Sequence, residues 1–131
     1  MCHCGNKEDF KNCCGKYFSL SKADQIHAPT AEELMRSRYS AFVEKNYDYL
    51  KQTHDPQTFD LSTMQANINW AKSVKFTKLE IISTKEDPDH AVVEFIAHYV
   101  DRNSGYGHQH HEVSEVRKIK DRWVYTTGMM N

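Results

Sequence analysis

The chain changes hydrophobic rhythm near its middle, from helical spacing to the two-residue alternation of strands. Leu34, Met35, Ala41 and Phe42 recur at the steps of one helix face, with Arg36, Arg38 and Glu44 between them. Thr30 followed by Glu33 reads as a capping box that opens this helix, and Asn46 is expected to stop it. A short second helix is expected over Asp48–Gln52, before Asp55-Pro56 breaks the pattern. Met64, Ile68 and Trp70 mark a third helix, capped by Asp60 or Ser62. Beyond Trp70 four strands are expected over Lys75–Ser83, Ala91–Val100, His110–Ile119 and Arg122–Thr127. The turns between them are Asp87–His90, Asn103–Gly107 and the two residues Lys120-Asp121. Helices followed by an antiparallel meander predict an α+β fold, with about three helices on one face of a four-stranded sheet.

Ahead of the first helix the rhythm is lost. Residues 17–29 carry Ser19, Ser21 and Pro29 without a period and read as a connector holding one turn of helix. Residues 1–16 form a separate small unit, because all four cysteines fall within the first fourteen positions. The 131 residues suffice for one domain with an ordinary core. Seventeen basic against eighteen acidic residues leave a formal charge of −1, so no global field draws the chain to nucleic acid or an anionic membrane. No stretch approaches the ~20 apolar residues of a spanning helix. No apolar run follows Met1, so a secretory signal is not expected and the chain is expected to be cytoplasmic, where thiols stay reduced.

Clustered thiols in a reducing compartment point to a metal. Cys2 and Cys4 form one short hook, and Cys13-Cys14 follow after eight residues; together they offer the four tetrahedral ligands of a closed structural Zn²⁺ site. Gly5 and Gly15 supply the positive φ or close approach such hooks need. Lys7, Lys11 and Lys16 would offset the net −2 of four thiolates around one ion. A reduced thiol cluster and a redox-active pair are the alternatives, and His3 is a substitute ligand should one cysteine, Cys14 first, not serve.

Cys2-His3-Cys4-Gly5-Asn6 and Cys13-Cys14-Gly15, with Lys7, Phe10 and Lys11 between, resemble the SEC-C motif, the zinc-binding tail of the translocase motor SecA. In that motif the last ligand is usually His, and Cys14 stands in its place here. The resemblance implies a docking module, since in SecA the tail contacts the chaperone SecB and the ribosome. The block Arg36-Ser37-Arg38-Tyr39-Ser40-Ala41-Phe42-Val43, then Tyr49-Leu50, Trp70, Val93–Ala97, His111-Glu112 with Ser114, and Trp123 to Gly128 resemble the YchJ-like bacterial family. One departure is Glu115-Val116, where that family more often has a basic residue and Phe. This second resemblance implies a SEC-C knuckle before a domain of the nuclear-transport-factor-2-like fold, a cone of helices on a curved sheet over residues 30–131.

A cone of this kind encloses a pocket. Along the second strand, Val93, Phe95, Ala97 and Tyr99 are the more apolar set and are expected to face the helices; Glu94 and His98 share the other face. Along the third, His110, Glu112, Ser114 and Val116 alternate with His111, Val113, Glu115 and Arg117. Glu94 and His111 are a candidate acid–base pair if they oppose each other across the ladder. Arg36 and Arg38 are candidates to clamp an anion or tie helix to sheet, and Tyr39 and Trp70 to line the pocket. His108, His110 and His111 form a cluster that would suit a second metal.

No nucleophile elbow, phosphate loop, dinucleotide fingerprint or paired-histidine zinc helix is present. The expected function is therefore a non-enzymatic adaptor: the zinc knuckle docks a protein partner, and the cone binds a small ligand or peptide. The alternative is a small-molecule hydrolase, isomerase or dehydratase using Glu94 and His111 in the cone. Nucleic-acid or ribosome binding rests on Lys7, Lys11 and Lys16 alone.

Overall fold

The computed structural model describes residues 1–18 and 26–130, so most of the expected connector, with its helical turn, lies outside the described residues. Two 3₁₀ turns, Phe10–Asn12 and Cys14–Tyr17, shape the N-terminal unit. Helices α1 (Ala31–Glu44), α2 (Tyr47–Gln52) and α3 (Leu61–Lys72) follow. Strands β1 (Val74–Glu86), β2 (His90–Asp101), β3 (Gly107–Ile119) and β4 (Arg122–Met130) then form one antiparallel sheet in chain order. The α+β architecture is the one the hydrophobic pattern predicts.

Thr30 caps α1 through a bond from the Glu33 amide at 3.1 Å, but Glu33 does not close the box. Its carboxylate instead accepts the Tyr17 hydroxyl, tying the N-terminal unit to the first turn of α1. Lys45, in the left-handed region at φ 60°, ends α1, and Asn46 is the N-cap of α2 rather than the stop. Asp60 caps α3, with bonds from both the amide and the hydroxyl of Thr63.

The strands run past their expected bounds, except β3 at its end and β4 at its start, because backbone ladder bonds continue where the apolar pattern stops. Thr84, Lys85 and Glu86, for example, still pair with Val93, Val92 and Ala91. Lys120 and Asp121 both take positive φ, the geometry that a tight two-residue hairpin demands. Register shifts at Phe76/Lys78, Ile81/Ser83 and Glu115/Val116 bend the sheet into a concave surface.

The concave face carries the expected residues of β2, with Val93 and Ala97 buried, and Ser114 and Val116 of β3 beside them. Leu34 of α1 and Leu50 of α2 fill the space above and are fully buried. Thr53–Asp55 lies along the free edge of β4: the Asp55 amide donates to Tyr125 O, and the Tyr125 amide donates to Thr53 O, both at 2.7 Å. The segment is locked by Asp55, 1 % exposed, which takes two bonds from Arg117 (2.5 and 2.9 Å) and one from Thr126. The edge is thereby covered over this stretch. Sequence periodicity marks this segment only as the place where a helix ends.

Candidate functional site

The four Sγ atoms of Cys2, Cys4, Cys13 and Cys14 lie within 4.8 Å of one another. Two of the separations are 3.6 Å (Cys4–Cys13) and 3.9 Å (Cys13–Cys14). A tetrahedral ion with metal–sulfur bonds of about 2.3 Å sets its ligand sulfurs about 3.8 Å apart, so the spacing fits such an ion and is far too long for disulfides. Left to themselves, the four thiols cannot all ionise. Interaction with Cys14 draws Cys4 down to about 5, burial pushes Cys13 up to about 12, and the same Cys4 interaction holds Cys14 higher still. A cation would reverse that balance and ionise the whole set. The four-sulfur cluster has the donors and spacing to hold a metal ion, and those donors suit zinc or iron.

The hook forms because Gly5 adopts φ 94° while its amide donates to Cys2 O. Gly15 is required for close approach rather than for positive φ, since a Cβ there would sit 2.8 Å from Phe10 O. His3 takes no place in the cluster: its Nε2 is paired with Glu44 at 2.6 Å. The knuckle is not a free appendage. Cys2, Cys4 and Cys14 are buried in a second core cluster with Tyr39, Leu79 and Ala97.

The Arg36–Ala41 block explains itself here. Arg36 holds the knuckle, donating from Nη1 to Cys4 O and from Nε to Glu32. Ser40, one turn on, contacts Cys2 Sγ at 3.6 Å. Between them Ser37 bonds Leu34 O and the Tyr49 hydroxyl, each at 2.7 Å, joining α1 to α2. Arg36, not one of the three lysines expected to balance the cluster, is a cation that contacts it through Cys4.

Between the helices and the concave sheet lies a cavity of about 360 Å³. Of the four residues named for the pocket, Arg38, Tyr39 and Trp70 line it and Arg36 does not. Arg38 is 6 % exposed; its Nη1 donates to Leu50 O (2.9 Å) and Thr53 Oγ1 (2.7 Å), and its guanidinium stands 4.6 Å over the Tyr125 ring. Trp70, at the mouth, meets Tyr99 and Phe76 edge-on at 5.1 and 5.7 Å. Two carboxylates line the cavity, the exposed α3 cap Asp60 and the partly buried Glu112. Glu112 is held on the floor. Its Oε1 takes a bond from His110 Nε2 at 2.8 Å, and its Oε2 takes the hydroxyls of Ser114 and Tyr125. Burial pushes Glu112 up, but these bonds outweigh it and hold the group below its ordinary value, ionised at neutral pH. Gly128 leaves the room they need, because a methyl group there would overlap the Glu112 carboxylate and the Tyr125 hydroxyl. Burial and the Arg38 charge lower the pKa of His54, which lines the same cavity and is neutral.

Glu94 and His111 do meet, at 2.6 Å, but not in the cavity. They project from the opposite face of the sheet, beside a similar pair of Glu80 and His98. The reason is strand parity: Ser114 and Val116 are buried toward the helices, so His110 and Glu112 share that face and His111 cannot. The same parity separates His111 from His108 and His110. Among the described residues, the four cysteines are the only group of three or more metal-binding side chains drawn together. Among the cavity residues that sequence reasoning missed are Glu112, His110, His54 and Tyr125. The first two were legible by following the buried set of β3 instead of its neighbour.

A family model described as "YchJ, middle NTF2-like domain" matches residues 30–128. A UPF0225 protein of Bordetella pertussis is 41 % identical over 128 residues, 97 % of this chain and 90 % of that protein. The solution structure of a SEC-C motif protein from Rhodopseudomonas palustris is 34 % identical with a TM-score of 0.84, covering 98 % of this chain and 96 % of that one. A crystal structure of a SEC-C motif protein from Psychrobacter arcticus is 29 % identical with a TM-score of 0.77, covering 100 % and 82 %. No helix among the described residues is long and apolar enough to cross a membrane.

Proposed function

The chain belongs to the YchJ family, and we propose that it is a zinc-stapled binding protein whose cone cavity holds a small ligand. The observation that carries this reading is the cavity itself, about 360 Å³, aromatic at its mouth and polar at its floor. Binding rather than turnover is favoured because both cavity carboxylates are already engaged, Glu112 by three side chains and Asp60 by the amide and hydroxyl of Thr63, and Glu94 and His111 lie outside it. Zinc is favoured over iron because a closed four-thiolate set, buried at three of its four cysteines and in a fold-stabilising position, asks for an ion without redox chemistry. Elemental analysis should return one zinc per chain with no titratable thiol.

In this reading the knuckle's first task is structural, since three of its cysteines are spent on the domain core. Docking of a protein partner falls to the exposed rim around Lys7 and Lys11. Exchanging Cys2 and Cys4 for Ser should release any partner held this way; retention of all partners would contradict it. The ligand reading is tested with the neutral probe 2-naphthalenemethanol, by calorimetry. Binding that is weakened by Trp70→Ala supports the cavity as its site, and binding indifferent to that change contradicts it.

A further inference from the structure

Arg38 is the buried arginine without a carboxylate; the others that lack one, Arg102 and Arg122, are more exposed and donate to backbone carbonyls. Arg36 and Arg117 each hold a carboxylate, at 3.0 and 2.5 Å, although both are more exposed. Arg38 is nearly sealed from solvent, yet among the described residues no carboxylate lies within 4.0 Å of its nitrogens. Both of its hydrogen bonds come from Nη1, so Nε and Nη2 have no partner among the described residues. Burial lowers its pKa to about 10, which leaves it charged at neutral pH. Neither Nε nor Nη2 counts among the sealed, unsatisfied polar atoms of the described residues, so both are open to the cavity that Arg38 lines, where a low-dielectric surrounding favours an anion as their partner. Glu112 is felt only at longer range, and its own oxygens face His110, Ser114 and Tyr125.

We infer that the cavity receives a small organic acid, its carboxylate on Nε and Nη2 of Arg38 and its apolar body against Trp70, Tyr99 and Phe76. The inference rests on the reading of the cavity as a ligand site and names what that ligand must carry. The planar fork of the guanidinium matches a carboxylate in two parallel bonds. One negative charge balances Arg38, whereas a phosphate monoester would bring a second charge into a cavity that already holds the ionised Glu112. The edge-to-face rings at the mouth offer the rest of the ligand an apolar surface.

The test uses the zinc-loaded chain and three matched probes: 2-naphthoate, 2-naphthalenemethanol and 2-naphthyl phosphate, followed by calorimetry. The acid should bind at least about tenfold more tightly than the alcohol, the scale of hydrogen bonds to a charged group. Arg38→Met should erase that preference, the acid losing at least about tenfold more affinity than the alcohol, and Arg38→Lys should restore part of it. Equal affinity for acid and alcohol, a preference that survives Arg38→Met, or tighter binding of the phosphate each overturns the inference. If Arg38→Met does not fold, the ratio of acid to alcohol in the unaltered chain still decides. Failure of the alcohol itself to bind overturns the cavity reading first, and the inference with it.

Discussion

Asp55→Asn tests how the floor of the cavity is held. Asp55 is buried to 1 % exposure and takes bonds from Arg117 Nε and Nη2, from Thr126 Oγ1 and from the Gln57 amide. These bonds fix Thr53–Asp55 against β4, and Thr53 in turn accepts from Arg38. The Arg117 bond, above all, holds the Asp55 carboxyl at about 2 against an ordinary 3.8. That difference corresponds to about 2.5 kcal/mol of preference for the ionised form in the folded state. Arg117 is about one third exposed, so water can take over part of its charge in the variant, which trims the expected loss to about 2 kcal/mol. Asparagine keeps the size and one acceptor, so packing should not add to it.

The pH dependence follows from the sign. A depressed carboxyl contributes stability that is fully present above the unfolded value of 3.8 and is lost as pH falls through about 2. Urea denaturation of both proteins at pH 7 should therefore separate them by about 2 kcal/mol, and the gap should narrow steadily below pH 4. Comparing the two proteins cancels the loss of metal that acid also brings. A gap under about 0.5 kcal/mol at pH 7, or one that persists unchanged at pH 2.5, would refute the assignment.

Other parts of the account are open to similar tests. Stripping the metal, or Cys4→Ser, should destabilise the whole chain by more than about 3 kcal/mol in a single calorimetric transition, because the cysteines share a core cluster with Tyr39, Leu79 and Ala97; two separate transitions would show an independent knuckle. Arg36→Ala should cost about 1–2 kcal/mol and speed release of the metal to a chromophoric chelator, since it removes the bond to Cys4 O; unchanged release would deny that clamp. Gly15→Ala should weaken metal affinity by forcing Phe10 O away from a Cβ 2.8 Å distant, and an equally tight site would contradict this packing. Gly128→Ala should impair naphthoate binding by displacing Glu112 and Tyr125, read by calorimetry as weaker affinity with the fold intact by circular dichroism; unaltered affinity would remove both groups from the site.

Much of the fold is legible because its signals are local. Thr30, Asp60 and the Lys120-Asp121 turn each satisfy nearby backbone groups, so their residue types announce them. The cysteine cluster is legible for the same reason, its ligands lying within thirteen residues of one another. What is hidden depends on contacts far apart in the chain. Glu33 satisfies the capping-box pattern locally, yet its carboxylate is claimed by Tyr17, sixteen residues away. Glu94 and His111 carry suitable chemistry and do pair, but which sheet face encloses the cavity is set by burial of Ser114 and Val116 against the helices. Arg38 was legible as a charged residue on an inward helix face. Its lack of a counter-charge was not, because that requires knowing which carboxylates the fold places elsewhere.

The central claim, that the cone cavity is the ligand site, is tested most directly by an NMR titration. The zinc-loaded, ¹⁵N-labelled chain would be titrated with 2-naphthoate and its amide shifts mapped. The account predicts shifts concentrated around Arg38 of α1, Trp70 of α3 and His110 of β3, with the knuckle rim silent. Shifts confined to the rim around Lys7 and Lys11, or to the outer face at Glu94 and His111, would contradict it.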